Sequence, residues 1–299
     1  MLVTVLIAAI LFLYKFFPEH FDFIFGDGDI PTGSQSGSSV EVNGKAEFHF
    51  IDVGQGDGML IRTDKGDIVI DAGPSGSEND FVEYIKAQGV SVIEYLVLTH
   101  PHGDHIGGAD AVLENFEVKR VLLPDTDCTT SMYTKVLRLV EKEKCEVIVP
   151  KVRDTYFLGD LKMTVLAPNS DDYDEGYNNY SVVIRAEYGE SSVLLTGDAE
   201  KISEEEMLKS VPLDLLDCDL LKVGHHGSHT STTTKFFNIV SPEYAVISCA
   251  KDNEYGHPHD ETEKTLASLS ASGKVYRTDI SGSIVFTTNG KTFDIKCEK

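Results

Sequence analysis

The sequence predicts an α/β (α+β) fold in which two β-sheets pack face to face and helices cover their outer sides. Short apolar runs typical of strands recur throughout the chain after Lys45. Segments in which apolar residues recur with helical spacing lie between groups of these runs. Strands that come in hairpin-like groups with helices between them favour stacked sheets and an outer helical layer.

The predicted elements follow one another closely from Lys45 to the end of the chain. The predicted strands are 46–53, 58–63, 67–71, 95–99, 118–123, 146–149, 161–167, 180–188, 191–196, 219–223, 243–249 and 281–287. The predicted helices are 79–89, 106–116, 130–144, 200–210, 232–240 and 260–270. We therefore expect one globular domain over residues 45–299.

The first 44 residues differ in composition from the rest of the chain. Residues 1–17 are almost wholly apolar, which is short for a spanning helix of about 20 residues but typical of a signal-peptide core. Residues 18–44 include the string GDGDIPTGSQSGSS, a composition typical of a flexible linker. This layout predicts a signal or anchor segment, a linker and an extracytoplasmic domain that is membrane-anchored or secreted. The alternative for the apolar segment is a buried core helix.

Net charge and cysteine content narrow the class of protein. The formal net charge is −23. Proteins that bind nucleic acid through its backbone normally present a basic face, so any basic surface here has to be local. The chain has five cysteines and no C-x-x-C pair, which argues against a disulfide framework and against a zinc-thiolate site.

The string HPHGDH at residues 100–105 is the strongest motif. It follows an apolar predicted strand and precedes a predicted helix, a position where rigid scaffolds often place functional groups. His100 and His102 alternate, so they can face one side, while Asp104 and His105 lie at the turn into the helix and can face another. One short loop can therefore serve two metal ions.

Two further strand ends carry residues that bind metals. Asp198 ends a strand in the string TGD, and a carboxylate has two oxygens that can bridge two cations. The string GHHGSH at 224–229 also follows a strand. Adjacent residues at a strand end point opposite ways, so we expect His225 or His226 to be a ligand, with a slight preference for His225. We expect His229 to be a bystander.

Two other positions complete the candidate site. His257 lies in the string GHPH before a helix, where it could bind a substrate phosphate or stabilise a leaving group; the alternative is a simple turn. Asp71 ends the third predicted strand, and we expect it to orient the ligand loop.

These strings resemble the metallo-β-lactamase superfamily, and within it the hydrolase-like domain of the ComEC competence proteins. The matching strings are FIDVGQGDGMLI at 50–61, IDAG at 70–73, NNYSVVI at 178–184, LLTGD at 194–198 and LLKVGHHGS at 220–228. The resemblance implies a four-layer αββα sandwich over residues 45–299, with a metal site at one edge. ComEC proteins also carry a multi-span channel that this sequence does not contain, so we do not expect a complete DNA-uptake protein.

The resemblance also implies a site for two divalent ions, Zn²⁺ or Mn²⁺. The implied metal ligands are His100, His102, Asp104, His105, Asp198, His225 and His226. The implied catalytic residues are Asp104, Asp198 and His257. The implied substrate-binding residues are Asn178, Asn179, Lys222, Ser228 and His257. Many members have another His ligand before the bridging Asp; this chain has none between His105 and His225, and we expect the Asn178–Asn179 segment to take that place.

The expected chemistry is hydrolysis of a phosphodiester by a hydroxide that bridges the two metal ions. Three interpretations stay open. The first is a nuclease that acts on DNA. The second is a phosphoesterase on a small or cell-wall substrate of the phosphorylcholine or teichoic-acid type, which suits a protein of charge −23 better. The third is a non-catalytic binding module of the same fold. The expected partners are the substrate and, through residues 1–17, a membrane; the sequence indicates no protein partner.

Overall fold

The apolar runs form two β-sheets in the computed structural model, which describes residues 42–173 and 176–299. The strands are β1 Ala46–Phe50, β2 Gly58–Thr63, β3 Gly66–Ala72, β4 Val92–Val97, β5 Glu117–Leu122, β6 Glu146–Ile148, β7 Thr155–Leu158, β8 Leu161–Ala167, β9 Val183–Tyr188, β10 Ser191–Leu195, β11 Leu220–Lys222, β12 Tyr244–Ile247, β13 Val275–Arg277, β14 Ile284–Thr288 and β15 Phe293–Cys297. The order is β15-β14-β1-β2-β3-β4-β5-β6 in one sheet and β13-β12-β11-β10-β9-β8-β7 in the other.

Helices cover the outer faces of both sheets. They are α1 Glu78–Ala87, α2 Gly103–Ile106, α3 Ala109–Asn115, α4 Ser131–Glu143, α5 Lys201–Ser210, α6 Thr234–Val240, α7 Asp260–Thr265, α8 Ala267–Ala271 and α9 Thr278–Ser281. Apolar side chains from both sheets form a central core, with β1, β2 and β14 facing β8, β9 and β10. A second core joins the first sheet to α1, α3 and α4, and a third joins the second sheet to α5 and α6. The predicted α/β sandwich with outer helices is therefore confirmed.

Parallel strands bring the motif-bearing loops to one edge of the sandwich. Strands β3, β4 and β5 are parallel in the first sheet, and β10, β11 and β12 are parallel in the second. The HPHGDH loop follows β4, Asp198 follows β10, and the GHHGSH loop follows β11. A backbone hydrogen bond of 2.9 Å from Val182 N to Thr99 O joins the two sheets at this edge. We call it the rim.

The structure differs from the predicted elements at three strands and at three helices, one of which, α9, was not predicted. Strands β7, β13 and β15 were not predicted, because β7 and β13 have only four and three residues and β15 alternates apolar and polar side chains. The predicted helix 106–116 is interrupted at Gly107 and Gly108. A side chain at Gly107 would collide with the Ser75 backbone, and one at Gly108 with the Ala72 carbonyl. The predicted helix 260–270 is likewise split into α7 and α8.

The predicted signal or anchor at 1–17 and nearly all of the linker at 18–44 lie outside the described residues. The described end of that linker contacts the domain. Asn43 N donates to Asp160 Oδ2 at 3.3 Å, and Tyr188 donates its hydroxyl to Asn43 O at 3.3 Å. From Val42 to the C-terminus, the described segments include no helix of the length and apolarity needed to cross a membrane.

Candidate metal centre

Four side chains from three rim loops bring their ligand atoms together. Asp104, His105, Asp198 and His226 each offer one atom, and these atoms all lie within 4.8 Å of one another. His105 Nε2 lies 3.2 Å from Asp198 Oδ1, and His226 Nε2 lies 3.2 Å from Asp104 Oδ2. We call these residues the inner group. His105, Asp198 and His226 are buried.

Asp71 holds His105 in place from behind. Asp71 Oδ2 lies 2.7 Å from His105 Nδ1, so the carboxylate accepts the proton of that nitrogen. Thr99 fixes the same carboxylate with two hydrogen bonds, from its backbone N at 2.8 Å and from its hydroxyl at 2.6 Å. With Nδ1 occupied in this way, the His105 Nε2 lone pair is directed at the inner group.

His226 is held by a similar arrangement on the second sheet. Its Nδ1 lies 3.0 Å from the Ser248 carbonyl oxygen and 3.5 Å from Asp57 Oδ1, so this nitrogen carries the proton. Lys222 Nζ in turn lies 2.7 Å from Asp57 Oδ2. Burial alone would raise the pKa of Asp57, but the Lys222 ammonium group helps to lower it to about 2.

The local backbone explains why His226, and not the expected His225, lies among the gathered ligand atoms. Side chains alternate only if both histidines continue β11 as a strand. They follow the strand in a turn, where His225 has φ 48° and His226 has φ 55°. In this left-handed conformation both side chains reach the rim, and His226 rather than His225 joins the inner group.

The donor set of the inner group fits a divalent cation. His105 Nε2 and His226 Nε2 lie 3.3 Å apart beside two carboxylates. These electron-rich atoms repel one another unless a positive charge lies between them. Asp198 Oδ1 is buried and makes no well-aligned hydrogen bond within the described residues. Burial opposes protonation of the imidazoles, yet nearby carboxylates, Asp198 foremost, raise the pKa of both His105 and His226 well above the usual value. Imidazole and carboxylate ligands suit Zn²⁺ and Mn²⁺.

A looser set of imidazoles faces the other oxygen of Asp198. His225 Nε2 lies 3.6 Å from Asp198 Oδ2, and His100 Nε2 lies 3.8 Å from it. His102 Nδ1 lies 3.0 Å from His100 Nε2. We call His100, His102 and His225 the outer group. Burial lowers the pKa of His100 and of His102, so both are neutral imidazoles that can act as ligands at neutral pH.

The two asparagines have different surroundings. Asn178 donates to Glu200 Oε1 at 3.2 Å and lies beside His102. Asn179 is buried, and its Oδ1 accepts from the backbone N of Glu200 at 3.1 Å and of Ser203 at 3.3 Å. Asn179 therefore supports the start of α5, and its predicted contact with a substrate stays a prediction.

Lys222 and Ser228 are not available to a substrate. Lys222 is fully buried, and besides its ion pair with Asp57 it donates to Val223 O at 2.9 Å. Because Lys222 lies in the string LLKV just before the histidines, it was expected to face the rim. It belongs to β11, a strand that is covered on both faces. Ser228 is buried and its hydroxyl lies 3.0 Å from Thr230 Oγ1, within the turn that follows the histidines.

The hydrogen bonds around His257 define its tautomer. Ala250 N donates to Gln55 Oε1 at 3.1 Å, which leaves the Gln55 amide nitrogen facing His257 Nδ1 at 3.4 Å. Because that nitrogen can only donate, Nδ1 accepts and the His257 proton is on Nε2. The His257 ring centroid lies 5.5 Å from that of His225 and 6.3 Å from that of His226. Burial and the neighbouring imidazoles lower the pKa of His257 to about 4.

The remaining histidines lie outside the inner group. His229 is exposed, and its Nδ1 lies 3.0 Å from His259 Nδ1. Sequence reasoning missed three residues that contact the site. Gln55 and Asp57 lie in the matching string at 50–61 but were not predicted as site residues, and Glu200, whose Oε1 lies 3.3 Å from His225 Nδ1, follows Asp198 by two residues. That short spacing was the available signal.

An αββα sandwich with imidazoles and carboxylates gathered at one edge defines a class of metal-binding hydrolase folds. Residues 51–251 match the family model described as the metallo-beta-lactamase superfamily. The chain therefore belongs to the metallo-beta-lactamase superfamily.

Curated relatives include a competence protein and a recombination protein. The chain is 34% identical over 263 residues to ComE operon protein 3 of Bacillus subtilis, covering 82% of this chain and 33% of that protein. It is 32% identical to Recombination protein 2 of Haemophilus influenzae, covering 78% of this chain and 28% of that protein. It is also 32% identical to Competence protein ComA of Neisseria gonorrhoeae, with 79% and 31% covered. The chain thus spans about a third of the length of these relatives.

Solved structures share the fold at low sequence identity. The metallo-beta-lactamase fold protein YhfI of Bacillus subtilis superposes with a TM-score of 0.57 at 14% identity, covering 82% of this chain and all of YhfI. CmlA, a diiron β-hydroxylase from Streptomyces venezuelae, superposes with a TM-score of 0.56 at 13% identity, covering 83% of this chain and 54% of CmlA. These likenesses support the fold.

Proposed function

We propose that this protein is a metal-dependent phosphodiesterase that cleaves DNA outside the cytoplasm. The observation that carries the proposal is the inner group, in which buried ligand atoms from three loops lie within 4.8 Å of one another. Membership of a hydrolase superfamily supports hydrolysis. The names of the competence relatives support DNA as the substrate.

The inner group would hold one divalent ion, Zn²⁺ or Mn²⁺, and the outer group with Asp198 Oδ2 would hold a second. When bound, such ions activate water and stabilise the charge on phosphoryl oxygens. Asp198 would be shared, since its two oxygens face the two groups.

The chain's own residues do the positioning. Asp71 and the Ser248 carbonyl keep the protons of His105 and His226 on Nδ1, so both Nε2 atoms stay directed at the rim. His257 keeps its proton on Nε2 because Gln55 occupies Nδ1. As a neutral imidazole beside His225 and His226, it is suited to donate a hydrogen bond to a phosphoryl or leaving-group oxygen.

Localisation rests on the first 44 residues. Their apolar start and Gly- and Ser-rich continuation favour a signal or anchor segment followed by a linker. We propose an extracytoplasmic domain that is membrane-anchored or secreted.

A smaller ester is the second candidate substrate. The net charge of −23 disfavours strong backbone binding to DNA and favours a phosphorylcholine- or teichoic-acid-type phosphodiester. A non-catalytic binding module is the third candidate.

One experiment separates these candidates. The full chain is purified, loaded with Mn²⁺ or Zn²⁺, and assayed on bis-p-nitrophenyl phosphate, single-stranded DNA and p-nitrophenyl phosphorylcholine, with a chelator-treated sample as the control. We expect metal-dependent turnover of the first two substrates. Turnover of the choline ester alone would favour the second candidate. No turnover by protein shown to carry metal would leave the binding module.

A further inference from the structure

Two partly open tyrosine rings flank the imidazoles of the rim. Tyr177 lies beside His102, with ring centroids 5.9 Å apart and an interplanar angle of 72°. Tyr255 lies over His257, with centroids 5.6 Å apart and an angle of 25°. From His102 to His257, through the rings between them, successive centroids are 4.1 to 6.3 Å apart. The two tyrosines therefore extend this row of rings at its two ends.

The Tyr255 ring has one face covered and one face open. His257 stacks on one face, while the residue keeps 58% of its surface exposed. The loop beneath it is braced by Asn253, which donates to Ala250 O at 2.9 Å and accepts from His257 N at 2.9 Å. His259 Nε2 donates to the Tyr255 carbonyl oxygen at 3.1 Å. An exposed large ring on a braced loop costs little conformational entropy when it binds another ring.

Tyr177 rests on an aromatic cluster. Its ring lies 6.2 Å from that of Tyr180, which in turn lies 5.0 Å from that of Tyr173. Tyr173 is fixed by a hydrogen bond of 2.7 Å from its hydroxyl to Glu206. The Tyr177 side chain is therefore supported next to His102 while remaining partly exposed.

We propose that Tyr177 and Tyr255 are base-stacking subsites, and that the substrate is a single-stranded nucleic acid whose unpaired bases stack on these rings while its backbone crosses the rim. This inference rests on the proposed phosphodiesterase function. Aromatic stacking is sequence-tolerant and needs no positive charge, which suits a chain of net charge −23. Bases in a duplex are already stacked, so a double strand cannot use these subsites.

A binding experiment and a turnover experiment test the inference separately. Fluorescence anisotropy measures binding of the metal-loaded full chain to a labelled oligothymidylate, to an oligomer of the same length with abasic spacers, and to the duplex. We expect the base-containing single strand to bind at least about tenfold more tightly than the abasic strand, the size expected of base–aromatic stacking. Equal binding of the two strands would overturn the inference.

Variants of the two tyrosines test whether their rings produce the preference for the base-containing strand. Tyr177→Ala and Tyr255→Ala should each reduce the preference for the base-containing strand about tenfold, both in binding and as a rise in KM. Tyr177→Phe and Tyr255→Phe should keep it, because the ring is retained. Phe157→Ala is the matched control, since Phe157 is 63% exposed but lies in β7, paired with Lys162 beside a turn at the opposite end from the rim.

The outcomes distinguish the two claims. Wild-type protein that binds the base-containing strand preferentially, but hydrolyses no phosphodiester, would overturn the proposed function and keep the subsites. Wild-type protein that cleaves DNA, with both alanine variants retaining the preference, would overturn the subsites and keep the proposed function.

Discussion

The inner and outer groups share Asp198 but are built differently. In the inner group, His105 and His226 are each locked from behind by a buried acceptor, Asp71 for one and the Ser248 carbonyl for the other. In the outer group, His100 is buried with its Nδ1 3.3 Å from the Ser181 hydroxyl, but His102 and His225 are only partly buried, and the Glu200 carboxylate behind His225 is itself partly exposed. The four ligand atoms of the inner group all lie within 4.8 Å of one another, while in the outer group only His225 Nε2 and His100 Nε2 lie near Asp198 Oδ2 among the described residues, at 3.6 and 3.8 Å.

This difference predicts that the rim binds two ions with unequal affinity. Orientation of ligands by outer partners raises metal affinity, because less freedom is lost on binding. We therefore expect a tight ion in the inner group and a weaker ion in the outer group. Substitutions can test whether the two groups differ in metal affinity, beginning with Asp198, which both groups share.

Asp198→Ala should have the largest effect. The substitution removes the one carboxylate that faces both groups, so turnover should fall by at least about a thousandfold and the bound metal should fall below one ion per chain. Elemental analysis and bis-p-nitrophenyl phosphate turnover measure these quantities. Asp214→Ala, at an exposed position, is the control. An Asp198→Ala protein with wild-type turnover would contradict the shared role.

Lys222→Met tests the support behind the inner group. It leaves the Asp57 carboxylate buried without its ion-pair partner, which should lower the free energy of unfolding by about 3–5 kcal/mol. Urea unfolding of the metal-free protein measures this change. Lys209→Met is the control, because Lys209 is exposed and its contact with Glu205 is 3.8 Å.

Adding Asp57→Asn to Lys222→Met should recover part of the lost stability, since no unpaired charge then remains buried. Equal stability of the single and double variants would show that the loss came from packing alone.

Histidine variants compare the two groups directly. His226→Ala should weaken the tightest Zn²⁺ binding by about 100-fold. This is the largest loss of metal affinity expected when a residue that orients a ligand is removed, and here the ligand itself is removed. His225→Ala should leave that affinity within about tenfold and should mainly weaken the second ion. Isothermal titration with Zn²⁺ gives both constants. The reverse order would mean that His225 belongs to the tight site.

The sequence predicted the sandwich because many of its strands contain short apolar runs that end in recognisable loops. The run before His100 and the run before Asp198 gave both the strand and the rim position of each motif. Strands β7 and β15 could not be found in the same way, because their side chains alternate or lie exposed at sheet edges. Each forms a hairpin with the strand next to it in the chain, β7 with β8 and β15 with β14, at one end of its sheet.

The candidate site was predictable in its residue types but not in its contacts. Lys222 looked like a substrate ligand because it lies in a motif next to the histidines, and only the packing shows that Asp57 neutralises it. The choice between His225 and His226 depended on a left-handed turn that spacing alone does not reveal. Tyr177 and Tyr255 carried no motif, because aromatic residues are common and their exposure is a property of the fold.

The smallest change in stability that we predict comes from the pH dependence of the inner group. The pKa values of His105 and His226 are raised well above 6.5 in the metal-free protein, chiefly by carboxylates acting against burial. A raised pKa in the folded state contributes stability that is fully present below about pH 6.5 and is lost as the pH rises through the folded pKa. The metal-free protein should therefore lose stability towards alkaline pH, as measured by urea unfolding.

Metal binding should have the opposite dependence on pH. An ion must displace the Nε2 protons of His105 and His226, so Zn²⁺ affinity should rise by up to about tenfold per pH unit for each proton displaced. Zinc titrations at several pH values above 6.5 measure this slope. The His226→Ala protein, which has one fewer proton to displace, should give a shallower slope. The outer group supplies the internal comparison, because the pKa values of His100 and His102 are lowered and no proton has to leave them at neutral pH. A second ion whose affinity depends on pH as steeply as that of the first would contradict the difference between the two groups.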